Sequence, residues 1–197
     1  MTKLEEKSLL KKAKKGNINA FEILVNEHQK KVYNLALKFS KNHEDALDLA
    51  QEALLKAYRN IQNFKGNSLF STWVYKITTN ICIDHYRKTN NIQTVYIDEE
   101  VKNNDGDSYK KINLPSLSDP ESECERKELR GFIISCLDKI PIELKSVIVL
   151  KDIQGFSYEE ISQILDIPMG TVKSRINRAR TLMRKHLSEN ESFLNIS

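Results

Sequence analysis

The stretch "NAFEILVNEHQKKVYNLALKF" constrains the fold more than any other part of the chain. It sets Phe21, Leu24, Val25, His28, Val32, Leu35, Ala36 and Phe39 at three- and four-residue steps, one apolar stripe with a single polar interruption. That period belongs to a helix; a half-buried strand would alternate every second residue. "NHEDALDLAQEALLKAYRNI" follows, with Asn42 as N-cap and Glu44 and Asp45 in the first turn, where the helix dipole favours carboxylates. Phe64-Lys65-Gly66-Asn67-Ser68 breaks the pattern with turn chemistry, and "LFSTWVYKITTNICIDHYRK" resumes it. The β-branched residues of this last helix lower its local propensity, so tertiary packing must hold it. In the opening stretch, Leu4, Leu9 and Leu10 are expected to pack on the core. With six glycines and four prolines in 197 residues, breaks are few, and the predicted class is all-α.

From Thr89 to about Asp119 the helical pattern fails. Asn, Asp, Ser, Gly and two prolines collect there, with Asp98, Glu99, Glu100, Asp105 and Asp107 making the stretch acidic. This predicts a flexible linker at 90–120 between two small helical domains, 1–89 and 121–197. In the second domain Pro141 can start a helix bearing Leu144, Val147, Ile148 and Leu150, and Gly155 lies at or just past its end. Ser157 and Glu160 form a capping-box signature ahead of Ile161, Ile164 and Leu165. Asp166-Ile167-Pro168 is a tight turn, with Pro168 suited to the first position of the next helix.

That next helix lies in "GTVKSRINRARTLMRK", which contains no acid. The net charge of +4 is too small to argue for a nucleic-acid partner by itself; its concentration here does. Two short helices joined by a tight turn, the second basic, describe a helix-turn-helix. Val172, Ile176, Ala179 and Met183 fall on one side for packing. Lys173, Ser174, Asn177, Arg178 and Thr181 fall on another and have the chemistry to read base edges in a major groove. Arg175, Arg180, Arg184 and Lys185 flank that face and suit phosphates.

"DLAQEALLKAYRNIQNFKGNSLFSTWVYKITTNICIDHYRK" (48–88) and "LDKIPIELKSVIVLKDIQGFSYEEISQILDIPMGTVKSRINRARTLMRKHL" (137–187) closely resemble, in order, the two conserved blocks of extracytoplasmic-function (ECF) bacterial sigma factors. The resemblance covers nearly all of the chain outside the linker. A helix-turn-helix alone would be shared with many ordinary regulators; the pairing of both blocks is far more specific.

The resemblance implies core RNA polymerase and promoter DNA as partners and allows an anti-sigma factor as inhibitor. It assigns Asp48, Gln51 and Glu52 to polymerase docking, with Leu55 and Tyr58 in support. It assigns the segment after Phe64 to the minus-10 element and to strand opening. Phe64, Lys65, Asn67, Ser68 and Asn80 would handle an everted base, and Arg59, Lys76, Arg87 and Lys88 would meet phosphates. Trp73 and Tyr75 stand with the minus-10 residues by resemblance, although aromatics at helical spacing are ordinarily core. Thr171 joins the residues named above at the minus-35 element. The linker acids would either mimic a phosphate chain in the polymerase channel or form a solvated tether.

No catalytic motif stands out. His28, His43, His85 and His186 do not fall in a metal motif, and there is no P-loop or GxSxG, so neither enzyme activity nor a cofactor or metal is expected. Cys82, Cys124 and Cys136 form no CxxC and read as reduced thiols of a cytoplasmic protein. No apolar run approaches the ~20 residues of a membrane span, and the opening residues lack the apolar core of a secretory signal.

Overall fold

A computed structural model describes residues 2–40, 42–90, 129 and 131–189. The linker acids, Cys124 and most of the predicted linker lie outside these residues. Among the described residues there are helices and turns but no strand, as the all-α expectation requires.

The N-terminal block is built from α1 (Lys3–Lys14), α2 (Ile18–Asn26), α3 (Gln29–Ala36), α4 (His43–Asn60) and α5 (Phe70–Thr89). Helix starts carry the caps their sequences advertise. Thr2 and Glu5 close a capping box on α1, Asn17 caps α2, and Asn42 Oδ1 accepts from the Asp45 backbone N–H at 2.7 Å. The continuous stripe from Phe21 to Phe39 is two helices, not one: the chain turns at Glu27 and His28 between α2 and α3. The turn preserves the phase of the stripe, so Phe21, Leu24, Val25, Val32, Leu35 and Phe39 all reach the core. Leu4 corrects the expectation for the opening segment. It is 82% exposed, while Leu9 and Leu10 are partly buried against the core.

Phe70, fully buried at the start of α5, centres an aromatic cluster. Phe21, Phe64 and Trp73 surround it at centroid distances of 6.5, 6.0 and 5.9 Å. Such edge-on and tilted rings add specificity to apolar burial. α5 also buries Thr72, Thr78 and Thr79, and the Thr78 hydroxyl returns a hydrogen bond to the Val74 carbonyl at 2.9 Å. Packing, not propensity, therefore makes this helix, as its sequence predicts.

The C-terminal block holds α6 (131–138), α7 (Ile142–Ile148), α8 (Tyr158–Leu165) and α9 (Met169–Ser188). α7 runs directly into a π turn, Val149–Ile153, closed by the Gln154 N–H to the Val149 carbonyl. Gly155, with φ +78°, takes the left-handed step just past it. Ser157 and Glu160 form the predicted capping box on α8. The turn into α9 depends on Asp166 in the left-handed region at φ 58°, and Pro168 is the N-cap of α9, one position before the first helical residue. α5 packs on α3 and α4 within its own block and also meets α7 and α8.

Candidate nucleic-acid and polymerase interfaces

α9 has two chemically distinct sides. Val172, Ile176, Ala179 and Met183 are all buried, which fixes the rotation of the helix on α7 and α8. Lys173, Asn177 and Thr181 are exposed, and Ser174, Arg175 and Arg178 are partly so. Thr171 is half-buried, and its carbonyl accepts from the Ser174 hydroxyl at 3.1 Å. Arg184 and Lys185 are exposed near the far end. Arg180 departs from its expected place among the phosphate contacts. Its Nη2 and Nε reach the two carboxylate oxygens of Asp152 at 2.6 and 3.1 Å, a bidentate pair that ties α9 to the π turn.

On α4 the buried stripe is Ala46, Leu49, Ala50, Ala53 and Ala57; the small alanines let the helix lie close to its neighbours. Asp48, Gln51 and Glu52 are exposed on the outer side, beside Leu47 and Leu55 at 52% and 54% exposure. Leucines left open beside acids suit a partner with both apolar and basic groups. Tyr58 is half-buried and supports this helix from beneath, with its ring edge-on to Phe21 at 5.1 Å. Arg59 is exposed.

The loop between α4 and α5 turns at Gly66, φ +77°. It leaves Lys65 and Asn67 exposed and Ser68 partly so. Phe64 is a correction: its ring is 5% exposed and packed on Phe70 and Trp73, so the apolar core, not an incoming base, holds it. Trp73 is likewise partly buried in that cluster. Asn80 and Lys88 are exposed on α5, whereas Lys76 and Arg87 are half-buried.

Two family models match this chain: Sigma-70 region 2 over residues 24–92, and Sigma-70, region 4 over residues 133–183. The chain is 40% identical to the ECF RNA polymerase sigma factor SigW of Bacillus subtilis over 184 residues, covering 93% of this chain and 97% of that one. The chain belongs to the ECF sigma factors. It is also 35% identical to the ECF RNA polymerase sigma-E factor of Escherichia coli K12, covering 90% and 91% of the two chains. Its fold matches a solved structure of CnrH in complex with the cytosolic domain of CnrY, with a TM-score of 0.68 at 24% identity over 94% of this chain and 99% of that one. This sigma factor thus binds RNA polymerase and directs promoter-specific transcription initiation.

Several side chains of the sigma factor that were assigned to DNA are engaged across the two blocks. Tyr75 is 3% exposed, another correction to an open nucleic-acid face. Its hydroxyl lies 3.2 Å from His28 Nδ1, and its ring meets Phe156 at 5.0 Å. Burial pushes the Tyr75 phenol up to about 12 and holds the His28 imidazole below its ordinary value. Lys76 pairs with Asp166 at 3.3 Å and Arg87 with Glu143 at 3.1 Å.

Sequence reasoning passed over Lys145 altogether. Its side chain is almost wholly buried, and its ammonium reaches Asp138 Oδ1 at 2.6 Å. Burial pulls its pKa down while Asp138 opposes the shift. No local signal marks it, because the rings above it, Phe39 and Tyr86, are distant in sequence. Lys14 was also missed: its ammonium donates to the Phe64 carbonyl and pins the loop to α1. Cys82 and Cys136 are buried free thiols, and burial pushes Cys82 up to about 12, which makes it an unreactive packing residue. Among the described residues no helix is long and apolar enough to cross a membrane, and no cluster of possible metal ligands occurs.

Proposed function

We propose that the two blocks divide the promoter between them. Residues 121–197 read the minus-35 element as duplex through Lys173, Ser174, Asn177 and Arg178. Residues 1–89 dock on the polymerase through the acidic face of α4 and capture the opened minus-10 strand through the loop after Phe64 and the exposed side of α5. The observation that carries this reading is the division of α9 into a buried apolar stripe and an exposed acid-free face. Such a helix can enter a groove without giving up its packing. Thr171, Arg175 and Arg184 serve the adjoining phosphates. On this reading the chain supplies specificity and strand opening in the cytoplasm and is not itself an enzyme. The polymerase performs the chemistry, and the segment 90–120 connects the two readers. One neighbour in fold is a sigma factor solved with the anti-sigma factor NepR from Bartonella quintana; a corresponding inhibitor for this chain belongs to the same proposal.

Phe64, on this reading, shapes the loop from beneath, and Lys65, Asn67 and Asn80 meet the strand. Asn80 offers both a donor and an acceptor to an unpaired base. Asn80→Ala should therefore lower the permanganate reactivity of promoter thymines in the polymerase complex. A template with a mismatched bubble already in place should recover much of the lost transcription. Full thymine reactivity in the variant would remove Asn80 from the strand-capturing surface.

A further inference from the structure

The two blocks are joined by a compact set of contacts centred on a buried cation. The Lys145 ammonium, carried by α7, lies 4.5 Å from the centroid of the Tyr86 ring and 5.6 Å from that of Phe39, both in the N-terminal block. Asp138 holds its other side, and the Tyr86 hydroxyl donates to the Asp138 carbonyl at 3.3 Å. The Arg87–Glu143 and Lys76–Asp166 pairs and the Tyr75–Phe156 ring contact complete the junction. We propose that this junction is a self-inhibitory latch: the free sigma factor closes on itself through Lys145 and thereby withholds promoter-facing groups of α5 until the polymerase separates the blocks. The proposal rests on the reading that Lys76 and Arg87 face promoter DNA.

Geometry makes the closed state and the working state exclusive. Elements centred near minus-10 and minus-35 are about 25 base pairs apart, roughly 85 Å at 3.4 Å per pair. Lys76, assigned to one element, is 3.3 Å from Asp166, in the turn that launches the helix assigned to the other. One closed molecule cannot seat both readers. Residues 91–128, at roughly 3.3–3.6 Å each, can reach well over 100 Å when extended, so the covalent connection permits separation.

The chemistry of the junction favours a latch over a permanent weld. A cation over aromatic faces and beside a carboxylate is attracted, yet removing it from water opposes that attraction. The lowered pKa of Lys145 has the same origin. Arg87 Nε is buried and has no hydrogen-bond acceptor among the described residues, a cost relieved when water reaches it. The outer ion pairs are partly solvated and exchange readily for water or phosphate.

Small-angle scattering of the free full-length chain tests the latch. The wild-type chain should scatter as one compact body. Lys145→Glu would set a carboxylate beside Asp138 and against two ring faces, so it should raise the radius of gyration by roughly a quarter as one body becomes two. Glu143→Arg combined with Asp166→Asn provides a second route. It places like charges at Arg87 and removes the Lys76 pair, while Asn tolerates the left-handed backbone at 166. This pair decides the matter if Lys145→Glu loses its helical circular dichroism. Expansion should be accompanied by several-fold tighter binding of the free chain to a promoter fragment carrying both elements. Two separated lobes in wild type, or variants that keep their helices and stay compact, would overturn the latch. Expansion with unchanged DNA binding would overturn its inhibitory role. The DNA reading fails separately: if Lys76→Ala with Arg87→Ala leaves promoter opening by the assembled polymerase unchanged, those residues do not face DNA, whatever the scattering shows.

Discussion

α9 and α5 are both twenty-residue helices with basic side chains, and they obtain their positions by opposite means. α9 rests on one stripe, Val172, Ile176, Ala179 and Met183, and leaves the rest of its circumference towards solvent. α5 is enclosed on several sides, and its buried set mixes Phe70 and Val74 with Thr72, Thr78, Thr79 and two tyrosines. A helix held by one stripe can present a broad face to duplex DNA. A helix used as a spine has little free face left, so its contribution to recognition falls to its margins, at Asn80 and Lys88, and to the loop before it. Local sequence explains the first arrangement; only tertiary structure explains the second.

The strongest way to break the contrast is to remove the ring on which α5 depends. Phe70→Ala should cost about 3–5 kcal/mol, because the cavity would open among Phe21, Phe64 and Trp73, where no small neighbour can collapse into it. Denaturant unfolding followed by Trp73 fluorescence reads this loss. A cost below about 1 kcal/mol would mean that α5 is not held by this cluster.

On α9 the corresponding experiment leaves the fold alone and strikes the open face. Arg178→Ala should cost roughly 1–3 kcal/mol in promoter binding by the polymerase complex and change the preferred base at one minus-35 position. Arg184→Ala should weaken binding evenly across sequences. Competition among promoters with single-base changes separates the two effects, and an unchanged preference in Arg178→Ala would return that side chain to the phosphate group.

Ser157→Ala should cost about 1 kcal/mol of stability, since it abolishes both halves of the capping box while leaving every core contact of α8 in place. Thermal unfolding provides the measurement.

The smallest effect is expected at His28. Burial lowers its pKa, so below about pH 6.5 the unfolded chain takes up a proton that the folded chain resists. Stability should fall as pH drops from about 7.5 through 6, and level off once the folded imidazole also protonates. His28→Gln should flatten that part of the profile; an unaltered profile would mean that other groups produce it.

What could be read from the sequence was whatever depends on near neighbours. The caps at Asn42 and Ser157, the turn at 166–168 and the packing stripe of α9 all operate within a few residues. The misreadings share a cause as well. The break at Glu27 and His28 keeps the helical phase, so the apolar pattern does not register it. Leu4 fits a helical period but points away from the only core within its reach. Phe64 lies among turn residues, and its burial is decided by Phe70 and Trp73 on the following helix. Lys145 is the extreme case: a lysine between Leu144 and Ser146 gives no hint of burial, because the groups that accept it come from the other end of the chain.

The π turn at Val149–Ile153 has a further consequence for how this chain can change over generations. A wide turn carries one residue more than the helix it interrupts, and each residue advances the direction of a side chain by roughly 100°. The additional residue aims Asp152 at Arg180. Deleting a single codon there would restore ordinary helical winding and swing the carboxylate away, freeing α9 to roll on its apolar stripe. Length in this segment is consequently under tighter constraint than composition: many residues could occupy 149–151, but the number of residues before Asp152 cannot drift.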